Sequence, residues 1–226
     1  MSKLKMAILD LDMTLINTIH RFYTVYNRVR RSYRLCEIGF KEFIENFRED
    51  KLTEILNPLS KAEKERFWKE FRKMYSNFIS PYDRPYCGAK ETLRYLKGIG
   101  LTVIVSTGRE AEPEKILKEL RHFKLAPYVD EVYTIAQQDP SEEDLLFSRK
   151  GILALILRKH QVGGDETIFV ADYWVDMEAG RKAGVITVGV LTGLKSKGIL
   201  KKHGARYVIK GIWELPNLLS KCFSLK

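Results

Sequence analysis

Met6 to Ile16 reads MAILDLDMTLI, an apolar run that ends in Asp10 and Asp12. In an extended chain residues i and i+2 project the same way, so the two carboxylates are expected side by side. At roughly 4 Å they would repel by about 4 kcal/mol at an effective dielectric of ~20, and a partner must offset that. Further groups of similar chemistry close other apolar runs. Ser106, Thr107 and Gly108 follow LTVIV, Asp172 follows TIFVA, Asp176 lies four residues beyond it, and Lys150 stands where a helical pattern begins. Together they make four carboxylates, one ammonium and a hydroxyl–glycine turn. Such acids, left alone, repel one another and any phosphate dianion. A hard divalent ion with oxygen ligands removes both objections, and Mg²⁺ bridges carboxylate and phosphate oxygens while keeping several waters. Backbone amides at Thr107-Gly108, a hydroxyl from Ser106 or Thr107, and Lys150 are suited to phosphate oxygens. His20, His122, His160 and His203 are scattered and show no zinc spacing.

These groups act together only if the elements that carry them share an edge. Short, β-branched apolar runs at 5–9, 101–105, 131–135, 167–171, 185–190 and 206–209 read as strands covered on both faces. Helical patterns lie between them at 88–100, 112–123, 150–160 and 176–184, with Pro113 near one start and Gly100 and Gly184 past two ends. The alternation predicts an α/β fold, a doubly wound parallel sheet with a Rossmann-like core. In such a sheet ligands sit beyond the carboxyl ends of the strands, where Asp10, Asp12, Ser106, Thr107 and Asp172 all fall. A helix feeding a strand starts near that edge, which adds Lys150. From 16 to 81 the alternation stops. Segments 18–33, 39–56 and 61–78 read as helices, the last with Phe67, Phe71, Met74 and Phe78 as an apolar stripe. The expected organisation is a discontinuous core, 1–15 and 82–226, with a small inserted helical domain at 16–81.

Composition narrows the classes. The chain has 226 residues, 45% hydrophobic and 30% charged, which suits a globular protein with a real core. No apolar stretch is long enough for a bilayer, and the aspartates interrupt the first apolar run before it could serve as a signal peptide, so a cytoplasmic location is expected. Cys36, Cys87 and Cys222 are too widely spaced for a disulfide framework or a zinc cluster. The net charge of +10 raises nucleic acid as a partner. In LKSKGILKKHGARYVIKG, however, basic and apolar positions alternate, as on a solvated face, and the same field would draw an anionic substrate. The expected partner is a small phosphorylated metabolite, with no nucleic acid and no membrane, for a monomer or homodimer.

The motifs resemble those of the haloacid dehalogenase superfamily, in its phosphatase branch. DLDMT at 10–14 is similar to the family's D-x-D-x-T, VSTGR at 105–109 to its second motif, RKG at 149–151 to its lysine motif, and VADYWVD at 170–176 to the closing D-x-x-x-D. Ala171 stands where glycine is commoner, and Cys87 where proline is. The insertion resembles the helical cap of phosphoglycolate phosphatases and sugar-phosphomutase relatives. This resemblance implies Asp10 as nucleophile, forming an aspartyl-phosphate, and Asp12 as general acid/base. It implies that Thr107 contacts the phosphoryl group, preferred over Ser106 because it directly precedes the glycine, and that Lys150 offsets charge. It implies Mg²⁺ held by Asp10, the Asp12 carbonyl and Asp172, with Asp176 farther out. The function implied is Mg²⁺-dependent hydrolysis of a phosphomonoester. The alternatives are a sugar phosphomutase of the same superfamily, or a non-catalytic nucleic-acid-binding module.

Overall fold

The structure is a computed structural model that describes residues 3–137 and 149–223. It divides into two compact units, 1–17 with 84–226, and Thr18–Asp83.

In chain order the first unit opens with β1 (Met6–Asp10) and the short β2 (Ile16–Asn17). The second unit holds α1 (Ile19–Ser32), α2 (Phe40–Arg48) and α3 (Lys61–Asn77). The first unit then resumes with β3 (Arg84–Pro85), α4 (Ala89–Gly98), β4 (Thr102–Thr107), α5 (Pro113–His122) and β5 (Glu131–Thr134). It continues through α6 (Lys150–His160), β6 (Thr167–Ala171), α7 (Trp174–Lys182) and β7 (Ile186–Val190). It ends with α8 (Lys197–Lys202), β8 (Tyr207–Ile209) and α9 (Leu215–Cys222).

Six strands form one parallel sheet in the order β5-β4-β1-β6-β7-β8, with β1 at its centre. Side chains alternate across each strand, so the continuous apolar runs feed two layers. Ala7, Leu9, Val103, Val105, Ile168, Val170 and Val188 pack on one face with Leu93, Leu96, Ile116, Leu120, Leu215 and Leu219 from α4, α5 and α9. Met6, Ile8, Ile104 and Phe169 pack on the other with Ile152, Leu153, Ile156, Met177 and Leu200 from α6, α7 and α8. Burying each of these large side chains stabilises the fold by about 1.5–3 kcal/mol. The sheet thereby becomes a rigid platform whose carboxyl-end loops carry the polar groups. Among the described residues no helix is long and apolar enough to cross a membrane.

The boundary between the units falls at Thr18 and Asp83, where residues 16 and 81 were expected. Ile16 and Asn17 pair antiparallel with Pro85 and Arg84, and that small ladder joins the linkers to the sheet unit. The helical unit also departs from its predicted pattern in two places. The segment 39–56 is broken after α2, where Asp50 adopts a left-handed φ of 58°, and only a short 3₁₀ turn at Glu54–Leu56 follows. In α3 the buried stripe is Phe67, Phe71 and Tyr75, while Met74 is exposed. That stripe meets Phe22, Tyr26 and Phe43 in an aromatic cluster, with the Phe22 and Phe71 rings 4.5 Å apart and Tyr26 and Phe67 5.4 Å apart. Such pairs add about 0.5–1.5 kcal/mol each beyond their burial. Ser60 caps α3 with a reciprocal Ser60–Glu63 capping box.

Beside its two linkers the helical unit holds an ion pair. Arg21 Nε and Nη2 lie 2.8 and 2.6 Å from Asp83 Oδ2, with side-chain exposures of 1% and 0%, and the same oxygen accepts from the Ser80 amide. Removing one partner of a buried pair strands the other charge at a cost of about 3–5 kcal/mol. Asp83→Ala is therefore expected to destabilise the unit by that amount in urea unfolding followed by circular dichroism. A loss below about 1 kcal/mol would show that the pair does not hold the ends of this unit.

Candidate active site

β1 stops at Asp10, and the chain then turns. Leu11 O accepts from the amides of Leu15 and Ile16, Met13 takes a left-handed φ of 56°, and Asp12 forms an isolated bridge with Ile16. Asp12 thus lies just past the strand, in the turn, and each carboxylate meets its own cation, while the Asp12 charge still acts on Asp10.

Asp10 is 1% exposed. Its Oδ1 accepts from Arg149 Nη2 at 2.7 Å and its Oδ2 from Thr14 Oγ1 at 2.9 Å. Arg149 sits immediately before α6, buried, with its guanidinium 6.0 Å from the Phe169 ring centroid and Nη1 3.3 Å from Asp176 Oδ2. Register accounts for this convergence. Asp10 is two and four residues beyond Ile8 and Met6 on the face that Phe169 also lines, and Ser106 pairs with Asp10 on β4. The Ser106 hydroxyl is fully buried there and has no hydrogen-bond partner among the described residues. Arg149 Nε is likewise buried without one.

Asp12 is held by a different guanidinium. Arg109 Nε and Nη2 donate to its Oδ2 and Oδ1 at 2.9 and 2.5 Å, and Thr107 Oγ1 donates to Oδ2 at 3.2 Å. Gly108, half-buried, lies between the two donors. Asp172 follows β6 and Asp176 lies in the first turn of α7, both buried. At Gly193 a Cβ would fall 1.9 Å from Asp172 Oδ2, so only glycine lets the backbone pass this carboxylate.

The electrostatics follow from burial and crowding. Desolvation raises the Asp10 carboxyl, Asp12 adds to the rise, and Arg149 opposes it. Asp172 is pushed well above the usual carboxylate range by burial and by the charges of Asp10 and Asp176. Burial works against the Arg149 charge, but Asp10, Asp176 and Asp172 prevail and hold it protonated.

The structure therefore gathers Asp10, Asp172 and Asp176 around one cation, with Ser106 opposite Asp10, and sets Thr107 against Asp12. It does not bring Lys150 to this group as the buried cation. Lys150 is exposed at the first position of α6, and the charge against Asp10 belongs to Arg149. The sequence carried a sign of this. Arg149 shares the 3.6-residue stripe of Ile152, Leu153 and Ile156 that α6 turns to the sheet, whereas Lys150 shares its face with the exposed Ala154. The sequence holds a sign of Arg109 too, because Glu119, within the buried stripe of Ile116 and Leu120, requires a cation.

Residues 7–190 match the haloacid dehalogenase-like hydrolase family. The chain belongs to that family. This hydrolase is 27% identical over 218 residues to the pyrophosphatase PpaX of Halalkalibacterium halodurans, with 94% of each chain covered. It is 25% identical to the phosphonoacetaldehyde hydrolase of Bacillus cytotoxicus, over 71% of this chain and 67% of that protein. Its fold is shared with a haloacid dehalogenase-like hydrolase from Streptococcus pneumoniae, at a TM-score of 0.76 and 14% identity, covering 97% of this chain and all of that one. Membership of that family makes it an enzyme of the hydrolase class.

Proposed function

We propose that this hydrolase cleaves phosphomonoesters of a small phosphorylated metabolite, with Mg²⁺ as cofactor and an aspartyl-phosphate on Asp10 as intermediate. One observation carries the reading. A buried carboxylate at the carboxyl end of the central strand is paired at 2.7 Å with a buried arginine whose Nε has no hydrogen-bond partner among the described residues.

A hard divalent cation fits the residues present. Asp10, Asp172 and Asp176 crowd three buried carboxylates against the one guanidinium of Arg149, and Gly193 leaves the room that the Asp172 carboxylate occupies. Among the described residues no three His, Cys, Asp or Glu side chains are grouped to hold a metal ion by themselves. Mg²⁺ keeps several waters and takes one or two carboxylates plus substrate oxygens. Asp10, the Asp12 carbonyl and Asp172 would hold the ion, with Asp176 reaching it through water. Bound there it would offset charge on the phosphoryl oxygens.

The chain's own residues supply the rest. Asp10 attacks phosphorus, and the leaving oxygen departs with the bonding electrons and the Asp12 proton. Asp12 then takes a proton from water as that water attacks phosphorus, and the bond to Asp10 breaks. Arg149, whose Nε has no hydrogen-bond partner among the described residues, offers a donor to the phosphoryl oxygens in a site where charge interactions are strong. Thr107 or the Ser106 hydroxyl adds a further donor.

The test is a panel of phosphorylated metabolites that includes pyrophosphate, assayed with Mg²⁺ for free phosphate and for isomerised sugar phosphate. Phosphate release is expected. Isomer without phosphate would make the protein a mutase, and inactivity on the whole panel, together with steeply salt-dependent nucleic-acid binding, would end the enzymatic reading.

Acid crowding also has a signature in stability. With the Asp10 and Asp172 carboxyls raised, the folded chain keeps protons that the unfolded chain has already released. In EDTA, stability is therefore expected to fall as pH climbs from the ordinary carboxylate range through the raised values, by up to about 1.4 kcal/mol per pH unit for each group. Excess Mg²⁺ should flatten the fall. Urea midpoints that decline equally with and without the ion would show that it does not bind these acids.

A further inference from the structure

Asp12 is gripped more completely than its sequence motif explains. Its carboxylate receives three donors, two of them the Nε and Nη2 of a single guanidinium at 2.9 and 2.5 Å. Arg109 has a side-chain exposure of only 2%, and its remaining edge is fixed by Glu119, whose Oε2 and Oε1 lie 2.5 Å from Nη1 and 3.3 Å from Nη2. Glu119 is itself 6% exposed and is carried on α5 between residues packed on the sheet. The Arg109 amide donates to Thr107 Oγ1 at 3.3 Å, and that hydroxyl donates to Asp12. A planar fork locked at both edges cannot swing, and it fixes the plane of the carboxylate it holds.

We propose that Arg109, braced by Glu119, is a positioning residue that sets the orientation of the Asp12 carboxylate toward the leaving oxygen and the hydrolytic water. The proposal rests on the reading of Asp12 as the proton-transfer group. In the first step the phosphorus–oxygen bond to the leaving group breaks and the Asp12 proton passes to that oxygen. In the second, water adds to phosphorus, its proton passes to Asp12, and the phosphorus–oxygen bond to Asp10 breaks. Proton transfer of this kind contributes about 10²–10⁴-fold, and a misplacement of about 1 Å in such a group costs about 10²-fold. Only the first step can do without it, and only when the leaving group is a stable anion.

The experiment compares an alkyl phosphate with p-nitrophenyl phosphate in the full-length protein. Arg109→Lys keeps the charge but loses the fork, and Glu119→Gln keeps the shape but loosens the brace, so the second serves should the first not fold. Each is expected to lower kcat on the alkyl ester by about 10²-fold with KM within about threefold. On the aryl ester each should release a fast stoichiometric burst of nitrophenolate and then turn over slowly, because the second step still needs the base. Equal losses on both esters with no burst, or a raised KM with unchanged kcat, would overturn the positioning role. Asp12→Asn is the reference. If it shows no such split, the assignment of Asp12 fails; if it shows the split and the Arg109 and Glu119 variants do not, only the positioning role fails.

Discussion

Asp10→Asn is expected to lower turnover by at least about 10⁴-fold while the protein stays folded. Loss of a nucleophile that forms the covalent intermediate is among the largest effects a single side chain can have, and an amide oxygen does not attack phosphorus in place of a carboxylate. The fold should tolerate the change for three reasons. Asparagine is close to aspartate in shape, so the packing on β1 is kept. Its side-chain oxygen can still accept from Arg149 in the Oδ1 position, and its amide can donate to the Thr14 hydroxyl, which then accepts across the 2.9 Å contact. The lost charge comes from a cluster in which burial and Asp12 already raise the Asp10 carboxyl, and Arg149 retains Asp176 at 3.3 Å. Melting in EDTA should therefore stay close to that of the parent chain. Parent-like activity in the variant would remove the nucleophile assignment and the reaction scheme with it.

The second large effect concerns two neighbouring cations. Arg149→Met is expected to lower kcat/KM by about 10²–10³-fold, the range seen when one preorganised donor is removed from a developing charge. It should also destabilise the metal-free protein by about 3–5 kcal/mol, because Asp10, Asp172 and Asp176 would lose the buried cation they share. Lys150→Met removes a charge one residue away that is exposed to solvent, and its loss in kcat/KM should be about threefold or less. Measuring both variants on one phosphomonoester, with urea unfolding alongside, separates the two positions. A larger loss at Lys150 than at Arg149 would return the charge-offsetting role to the lysine that the motif suggests.

The contrast between those residues shows how far the sequence alone reaches. Runs such as TIFVA and VITVGV, bounded by small and polar residues, determined the six strands of the sheet and the alternating helices, because alternation and helical stripes are local patterns. The same patterns placed Asp10, Thr107 and Asp172 at carboxyl ends, since parallel strands share one direction. They also marked the helical insertion, although Asp50 and the Ile16–Pro85 ladder shifted its details. What they did not decide is which cation each acid meets. Arg149 and Asp10 are far apart in sequence, and so are Arg109 and Asp12. The choice between Arg149 and Lys150 turns on about 100° of rotation per residue as α6 docks on Phe169. A carboxylate takes whichever buried guanidinium the packing delivers within about 3 Å, and that selection belongs to the tertiary structure. The sequence by itself determined where acids gather; only the folded chain decided that two arginines, one braced by Glu119 and one by Asp176, give Asp10 and Asp12 different partners.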